Sequence, residues 1–284
     1  MNGLLAIVAA VVIGTWNGQW LPSGRAKHRA HPDVEAATIT ASAKMLAGGL
    51  ARIDPEGTND VILCLNEIRN RAAATNLVAQ IGRKGLQVVS VSAYRWRDRF
   101  DEQQDVIATT LPVAEASWSR WRTAGQFTPP RGYAFAALVL DPATTARVYA
   151  VHLKSNYGAT TPAIADANRQ KRTNAISQIV NQEKIPKRRK KAPPPVILVG
   201  DMNADKWRAE FAAEQIFNIL SFAGFTDLLE LLPPDRRGTH PSARYGDSAL
   251  DYIFVRGLRS IGSPCIVPND ALSDHYAVWA VVDK

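Results

Sequence analysis

The sequence has few cysteines and no long hydrophobic run. Its two cysteines, Cys64 and Cys265, form no disulfide framework and do not indicate a redox compartment. The apolar run from Leu4 to Ile13 is too short to span a bilayer, so we expect no stable membrane insertion. Because no basic residue precedes this run, residues 1–13 favour a first strand in a cytoplasmic protein. A signal remnant fused to that strand, with export, is the alternative.

Acidic residues are outnumbered by basic ones. The chain of 284 residues has 34 Lys and Arg against 26 Asp and Glu, a net charge of +8, which favours polyanionic partners such as nucleic acid or anionic lipid. Three consecutive prolines, Pro193, Pro194 and Pro195, end the segment 184–195, which we interpret as an extended loop. A solvated loop and a site for polyanion binding are the two interpretations of its five consecutive cations. These are Lys187, Arg188, Arg189, Lys190 and Lys191.

Short apolar, β-branched runs alternate with helix-like stretches along the whole chain. The predicted strands are Ile7–Trp16, Val61–Leu65, Gln87–Ser92, Val106–Thr109, Ala134–Leu140, Val148–His152, Val196–Val199, Ala249–Val255 and Ala277–Val282. The predicted helices are Asp33–Leu50, Ala72–Lys84, Ala165–Asn181 and Ala209–Ala223. The pattern is alike on both sides of the basic loop. We therefore expect one mixed α/β domain over residues 1–284, with two packed sheets and helices outside.

Asp201 and Asn203 follow one of the buried strands directly after Gly200. In an extended chain, residues two positions apart point the same way, so this carboxylate and this carboxamide would face one site. Such a pair suits a hard cation and a phosphate oxygen. A simple turn is the alternative, because Gly, Asp and Asn are common turn residues.

Other titratable residues occupy similar places. Glu67 comes at the end of an apolar strand, where it is either a metal ligand or a helix start. Asp251 interrupts an apolar strand and needs a partner there, for which a structural salt bridge is the simpler explanation. His152 ends a strand and His275 follows Asp274, and histidines can transfer protons while carboxylates hold metal.

Six short motifs occur in order along the chain. They are Thr15–Asn17, Leu65–Arg69, His152–Ser155, Gly200–Asn203, Leu250–Phe254 and Ser273–Tyr276. This set resembles the signature of the endonuclease/exonuclease/phosphatase superfamily, the fold of deoxyribonuclease I and exonuclease III. The resemblance implies a four-layered α/β-sandwich, in which two packed mixed β-sheets are flanked by helices and the site lies at one edge of the sheets.

The resemblance also implies a divalent cation, Mg²⁺ or Mn²⁺. Glu67 would be its principal ligand, with Asn17 beside it, and Asp274 would orient or ligate. Catalytic roles are implied for five further residues: His152, Asp201, Asn203, Asp251 and His275.

In these implied roles, Asp201 and Asn203 position the attacking water and the phosphate. Asp251 supports the catalytic machinery. His152 and His275 contact the phosphate and transfer protons.

His152 indicates a branch of this superfamily. It resembles the histidine of deoxyribonuclease I, sphingomyelinases and inositol-phosphate phosphatases, whereas exonuclease III and its abasic-site relatives have a tyrosine motif there. The acidic partner of His152 stays open among Asp98, Asp101, Glu102 and Asp105.

The nucleic-acid-binding residues that we predict are Arg69, Lys154, Asn156 and the Lys187–Lys191 run. Arg69 matches a deoxyribonuclease I arginine that reaches into the nucleic-acid groove, and a surface ion pair is the alternative for it.

The predicted function is a sequence-nonspecific DNA endonuclease, acting as a monomer, that leaves 3′-hydroxyl and 5′-phosphate ends. A phospholipid or inositol-phosphate phosphodiesterase on the same fold is the first alternative, and a non-catalytic binding module is the second. The lipid alternative requires an exposed aromatic hairpin. Trp118, Trp121 and Phe127 could form one, but they are interspersed with arginines at 120, 122 and 131, and arginines among aromatic residues suit nucleic acid at least as well.

Overall fold

Two six-stranded sheets form the centre of the computed structural model, which describes residues 10–23, 30–96, 99–100, 102–184, 193–243, 246–269 and 271–284. The strands are β1 (Ala10–Leu21), β2 (Asp60–Ile68), β3 (Gln87–Val91), β4 (Arg95–Trp96), β5 (Arg99–Phe100), β6 (Gln104–Thr109), β7 (Val113–Arg120), β8 (Gly132–Asp141), β9 (Thr144–His152), β10 (Val196–Asp201), β11 (Thr226–Asp227), β12 (Asp251–Arg256), β13 (Cys265–Val267) and β14 (Ala277–Asp283). The α-helices are α1 (Pro32–Ile53), α2 (Arg71–Ile81), α3 (Pro162–Gln182) and α4 (Ile216–Phe222). Short 3-10 helices cover Ala209–Phe211, Leu228–Leu231 and Pro234–Arg236.

Each sheet is mixed, with one parallel pair of strands near its middle. The first sheet has the order β13-β14-β1-β2-β6-β3 and the second has the order β11-β12-β10-β9-β8-β7. The parallel pairs are β1 with β2 and β9 with β10, and the other neighbours are antiparallel. Strands β4 and β5 form a separate two-stranded ribbon. In both sheets the parallel pair brings two carboxyl ends to one edge.

The alternation of side chains along β1 shows how the layers are built. Val11 and Ile13 belong to the hydrophobic core between the sheets, whereas Val12 and Trp16 belong to a second cluster under α1 and α2. On the far side, Ile176 of α3 packs with the second sheet, as do other residues of α3 and α4. The result is two packed sheets between two helical layers, which confirms the predicted four-layered sandwich.

Local sequence explains where the helices begin and end. The Asn70 side chain accepts a hydrogen bond from the Ala73 backbone N–H at 2.9 Å and so caps α2. Helix α3 begins with Thr161 as its cap and Pro162 in its first turn, where a missing N–H costs nothing.

One predicted helix needs correction, and the eight-residue strand β7 was missed. The predicted helix Ala209–Ala223 is divided into a 3-10 turn and the short helix α4, with Glu214 between them. The carboxylate of Glu214 pairs with Arg172 inside the protein, which draws the chain inward between the two pieces. Strand β7 was not predicted, because nearly all its side chains are exposed and no apolar alternation reveals it.

Residues 10–13 of the apolar amino-terminal run lie in β1, as predicted for a first strand, and residues 1–9 lie outside the described residues. Most of the basic loop, including the run Lys187–Lys191, also lies outside them. In the described part of the chain, no helix is both long enough and apolar enough to cross a membrane.

Candidate active site

Several predicted site residues meet at one edge of the two sheets. Asn17 and Glu67 lie near the carboxyl ends of β1 and β2, and His152 and Asp201 end β9 and β10. Asp201 is in register with both His152 and Asp251 in the neighbouring strands. Because parallel strands end at the same edge, side chains that are far apart in sequence converge here.

The backbone at this edge has unusual conformations. Gly200 has a φ of 135°, and a Cβ atom there would lie 2.1 Å from the carbonyl oxygen of Val151, so only glycine fits before Asp201. Glu67 and Asn203 have φ values of 56° and 51°, which side-chain-bearing residues rarely adopt. Such strain is typical of functional sites, where the surrounding structure maintains it.

His275 is held in its charged form by carboxylates. Its Nδ1 donates to Oδ2 of Asp251 at 2.7 Å, and the Thr239 hydroxyl donates to the same oxygen at 2.8 Å. Burial alone would lower the pKa of His275, but Asp251 and Asp201 outweigh it and raise this pKa to about 10. The imidazolium Nε2 lies 3.8 Å from Oδ2 of Asp201. Asp251 therefore orients His275 through a hydrogen bond and favours its charged form.

Asp201 is buried at the centre of a hydrogen-bond network. Its Oδ2 accepts from Nδ2 of Asn17 at 3.0 Å, and its Oδ1 accepts from the backbone N–H of Asn203 at 2.8 Å. Burial raises the pKa of Asp201 to about 7, although the charge of His275 opposes this rise. Asn203 turns its own side-chain amide to the carbonyl oxygen of Leu153 at 3.1 Å. Asp201 is therefore a carboxylate that can take up a proton near neutral pH.

His152 faces two carboxylates with one ring nitrogen. Its Nε2 lies 3.7 Å from Oε1 of Glu67 and 3.6 Å from Oδ2 of Asp201. Its Nδ1 is buried and has no hydrogen-bond partner among the described residues. Burial, together with the charges of Arg131 and His275, lowers the pKa of His152 well below its usual range. The two histidines thus differ in charge, with His152 neutral and His275 positive.

Two of the four candidate acidic partners of His152 are engaged elsewhere. Asp105 accepts from Nδ2 of Asn66 at 2.7 Å and from the Tyr94 hydroxyl at 2.9 Å. Glu102 lies 3.8 Å from Nε of Arg69. Asp98 and Asp101 lie outside the described residues.

Glu67 fits the role predicted for the principal metal ligand. Its Oε2 is buried without a hydrogen-bond partner among the described residues, and burial raises its pKa. A buried carboxylate oxygen with no partner is costly unless a cation or a proton binds it, and hard divalent cations prefer such oxygens. Oδ1 of Asn17 accepts from the backbone N–H of Gln19 at 3.0 Å. Oδ2 of Asp274 accepts from Nε2 of the same glutamine at 2.7 Å. Both of these predicted ligands are therefore already bonded within the protein.

The residues predicted to bind nucleic acid divide into two groups. Lys154 and Asn156 lie in the loop that follows β9 beside the site, and both are half-buried. Arg69 is buried, and its Nη1 and Nη2 donate to the Glu35 carboxylate at 2.7 and 2.6 Å. This corrects the prediction that Arg69 reaches into a nucleic-acid groove, because the ion pair uses its guanidinium inside the fold.

Sequence analysis did not identify two further residues of the site. The His240 ring meets the His275 ring edge-on with 4.8 Å between centroids, and its Nε2 lies 3.9 Å from Oδ2 of Asp274. Among the residues that the structure describes, these three form one of two groups of potential metal ligands within 4.8 Å of one another, the other being Asp201, Asp251 and His275. His240 is one of only five histidines, so an inventory of that residue type would have found it.

Arg131 is the second missed residue. Its positive charge lowers the pKa values of both Glu67 and His152, and its Nη2 donates to Oε1 of Gln103. Its backbone has a left-handed conformation, with a φ of 65°, directly before β8 begins. The two prolines before it indicate only an extended loop, so the sequence held no signal for this placement.

Comparison with known proteins agrees with the fold. The sequence profile of the Endonuclease/Exonuclease/phosphatase family matches residues 14–275. An endonuclease/exonuclease/phosphatase from Beutenbergia cavernae superposes with a TM-score of 0.63 and 14% identity, over 97% of this chain and 72% of the other. Humanized D. rerio TDP2 superposes with a TM-score of 0.61 and 16% identity, over 97% of this chain and 100% of the other. Sphingomyelinase C from Streptomyces griseocarneus superposes with a TM-score of 0.57 and 17% identity, over 96% of this chain and 99% of the other.

Comparison with curated protein sequences gives no significant match. Members of the matched family are hydrolases that depend on a divalent cation and act on phosphodiester or phosphomonoester bonds. The profile covers all six motifs, apart from the last residue of the sixth. The chain belongs to the endonuclease/exonuclease/phosphatase family and is a hydrolase of phosphate ester bonds.

Proposed function

We propose that this hydrolase cleaves nucleic acid, as a sequence-nonspecific DNA endonuclease that leaves 3′-hydroxyl and 5′-phosphate ends. A group of cations beside the site carries this proposal. Lys154 follows His152 by two residues, and its pKa is lowered by burial and by positive charges that include those of Arg131 and Lys171. Several positive charges at short range favour a polymer with phosphates on both sides of the scissile one.

The lipid alternative requires an exposed aromatic hairpin, and Trp118 and Trp121 do not form one. Trp121 is buried and packs on Tyr133 with 5.1 Å between ring centroids. Trp118 is half-buried and meets Tyr94 edge-on at 5.7 Å. These aromatic rings stabilise the fold and are not available for insertion into a lipid surface. Among the similar structures, D. rerio TDP2 has been solved in complex with a single-strand DNA product.

The side chains of the site support in-line attack of water on phosphorus. When bound at Glu67, Mg²⁺ or Mn²⁺ would neutralise charge that develops on the phosphate oxygens. Asp201, held by Asn17 and by the backbone of Asn203, accepts the proton of the attacking water. The His275 imidazolium, oriented by Asp251, donates to a phosphate oxygen or to the departing oxygen as its bond to phosphorus breaks.

A substrate panel tests this proposal. The purified chain is incubated with supercoiled plasmid, linear duplex, single-stranded DNA, RNA and sphingomyelin vesicles, each with Mg²⁺, Mn²⁺ or EDTA. We expect plasmid nicking with either metal, ends that a DNA polymerase can extend, and no cleavage in EDTA or by Glu67→Gln. Hydrolysis of sphingomyelin with intact nucleic acids would instead establish the lipid alternative.

A further inference from the structure

Tyr157 is almost completely outside the protein. Its exposed fraction is 95%, the highest among the large hydrophobic side chains that the structure describes. It follows His152 by five residues and Lys154 by three, so it lies within about 17 Å of the site along the chain. Isolated exposed aromatic side chains are common on protein surfaces, so exposure alone assigns no role to this ring.

The backbone that carries Tyr157 forms a tight turn. The backbone N–H of Ala159 donates to the carbonyl oxygen of Asn156 at 2.9 Å, and the N–H of Tyr157 donates to the Ser155 hydroxyl at 2.9 Å. Gly158, with a φ of 77°, occupies the third position of the turn, where a left-handed conformation requires glycine. Tyr157 therefore stands at a corner whose backbone is defined on both sides.

A buried ion pair anchors this turn to the helical layer. Arg172 of α3 donates from Nη1 to the carbonyl oxygen of Lys154 at 2.8 Å and to Oδ1 of Asn156 at 3.2 Å. Its Nε and Nη2 donate to Oε2 of Glu214 at 3.0 and 2.6 Å, and both side chains of the pair are 1% exposed. Buried ion pairs contribute little net stability compared with apolar residues of the same size. The specific effect of this pair is to hold the 154–157 turn in one position.

The surroundings of Tyr157 are polar and positive. Within two residues of Tyr157 the chain has Ser155, Asn156, Gly158 and Ala159, of which only Ala159 is apolar, with a side chain of one methyl group. Lys154 is within electrostatic range of Lys171 on α3. Aromatic rings next to cations are typical of surfaces that bind single-stranded nucleic acid, since bases stack on the ring while cations contact the backbone. Insertion into lipid requires a cluster of apolar side chains instead.

We propose that Tyr157 is a stacking platform for an unpaired nucleobase next to the scissile phosphate. This inference rests on the proposed nucleic-acid substrate and refines it to strands with unpaired bases near the cut. Arg172 and Glu214 are its positioning residues, because they hold the turn without contacting the substrate.

The test measures binding in EDTA, where no cleavage occurs, by fluorescence anisotropy of a labelled single-stranded oligonucleotide. Stacking contributes about 1–3 kcal/mol per base, so Tyr157→Ala should weaken binding about 5- to 150-fold. Tyr157→Trp should retain the affinity. Phe222→Ala is the matched control, because Phe222 is 92% exposed on α4 and should bind as the unaltered protein does.

A salt series separates stacking from charge. Loss of an aromatic ring releases no counterions, so the slope of log affinity against log salt should be the same for Tyr157→Ala and the unaltered protein. An oligonucleotide with abasic positions should bind both proteins equally. If Tyr157→Ala binds normal single strands as tightly as the unaltered protein does, the inference is wrong.

Two other outcomes would also overturn the inference. An equal loss of affinity for duplex and single strand would show that Tyr157 contacts the backbone. Weaker binding to sphingomyelin vesicles with unchanged DNA binding would identify a membrane contact. If the unaltered protein binds no nucleic acid at all, the proposed function itself fails, and this result is distinct from the others.

Discussion

Replacement of Asp251 by asparagine tests whether a carboxylate keeps His275 charged. Asp251 is fully buried, and its Oδ2 accepts from both His275 and Thr239. The asparagine oxygen can keep both hydrogen bonds, but the negative charge is lost. The new amide nitrogen would take the place of Oδ1, which has no partner among the described residues. An unpartnered buried donor costs about 1–3 kcal/mol, and breaking a buried charge pair costs about 3–5 kcal/mol.

The loss of unfolding free energy caused by Asp251→Asn should depend on pH because the pKa of His275 is raised from 6.5 to about 10. A histidine with a raised pKa contributes its full stabilisation below pH 6.5, and this contribution is lost as pH rises through about 10. The asparagine variant should therefore be destabilised most below pH 6.5, by about 3–5 kcal/mol, and less at each higher pH. Near pH 10 only the cost of the unpartnered amide should remain.

Urea unfolding followed by tryptophan fluorescence at several pH values between 6 and 10 measures this difference, and NMR titration of His275 measures its pKa directly. Asp205→Asn is the control, because Asp205 is also buried but accepts from the backbone N–H groups of Trp207 and Ala249. The difference between this control and the unaltered protein should not follow the titration of His275. A pH-independent cost for Asp251→Asn, or an unchanged pKa of His275, would refute the reasoning.

Four further outcomes are expected. EDTA should abolish hydrolysis and Mg²⁺ or Mn²⁺ should restore it, while Glu67→Gln should lose activity and keep its circular dichroism spectrum; full activity in EDTA would contradict the metal site. His152→Ala and His275→Ala should each lower kcat on bis(p-nitrophenyl) phosphate by about 10²-fold or more, and the double variant should lose less than the product of the two. Unchanged turnover in both would make these histidines structural. Arg69→Met should lower the free energy of unfolding by about 1–3 kcal/mol in urea denaturation, because it leaves the partly buried Glu35 carboxylate without this partner, and it should not weaken DNA binding. Replacement of the Lys187–Lys191 run by serines should flatten the salt dependence of DNA affinity and leave the melting temperature unchanged, and equal slopes would show that the run does not touch DNA.

The strands and the motif residues were accessible from the sequence. All nine predicted strands overlap observed strands, because a buried strand needs a local run of apolar, β-branched residues. Glu67, His152 and Asp201 were recognised because charged or polar residues at the ends of such runs have few structural reasons to be there. Their order along the chain then matched one family.

Elements that depend on distant contacts were not accessible. Strand β7 has little apolar character, and its pairing with β8 defines it. The division of the predicted helix Ala209–Ala223 depends on the pairing of Glu214 with Arg172, which is 42 residues away in the sequence. No local pattern encodes a partner at that separation.

The chemistry of the site was decided by the tertiary structure. In the sequence, His152 and His275 are alike, but the fold places Asp251 against one and the positive charge of Arg131 near the other. The fold also pairs the guanidinium of Arg69 with Glu35, so this guanidinium is bonded within the protein. Residue identity and local order therefore determined which side chains could react. Their charge states and partners required three-dimensional proximity, because Coulomb interactions and burial depend on distances that the order of residues does not contain.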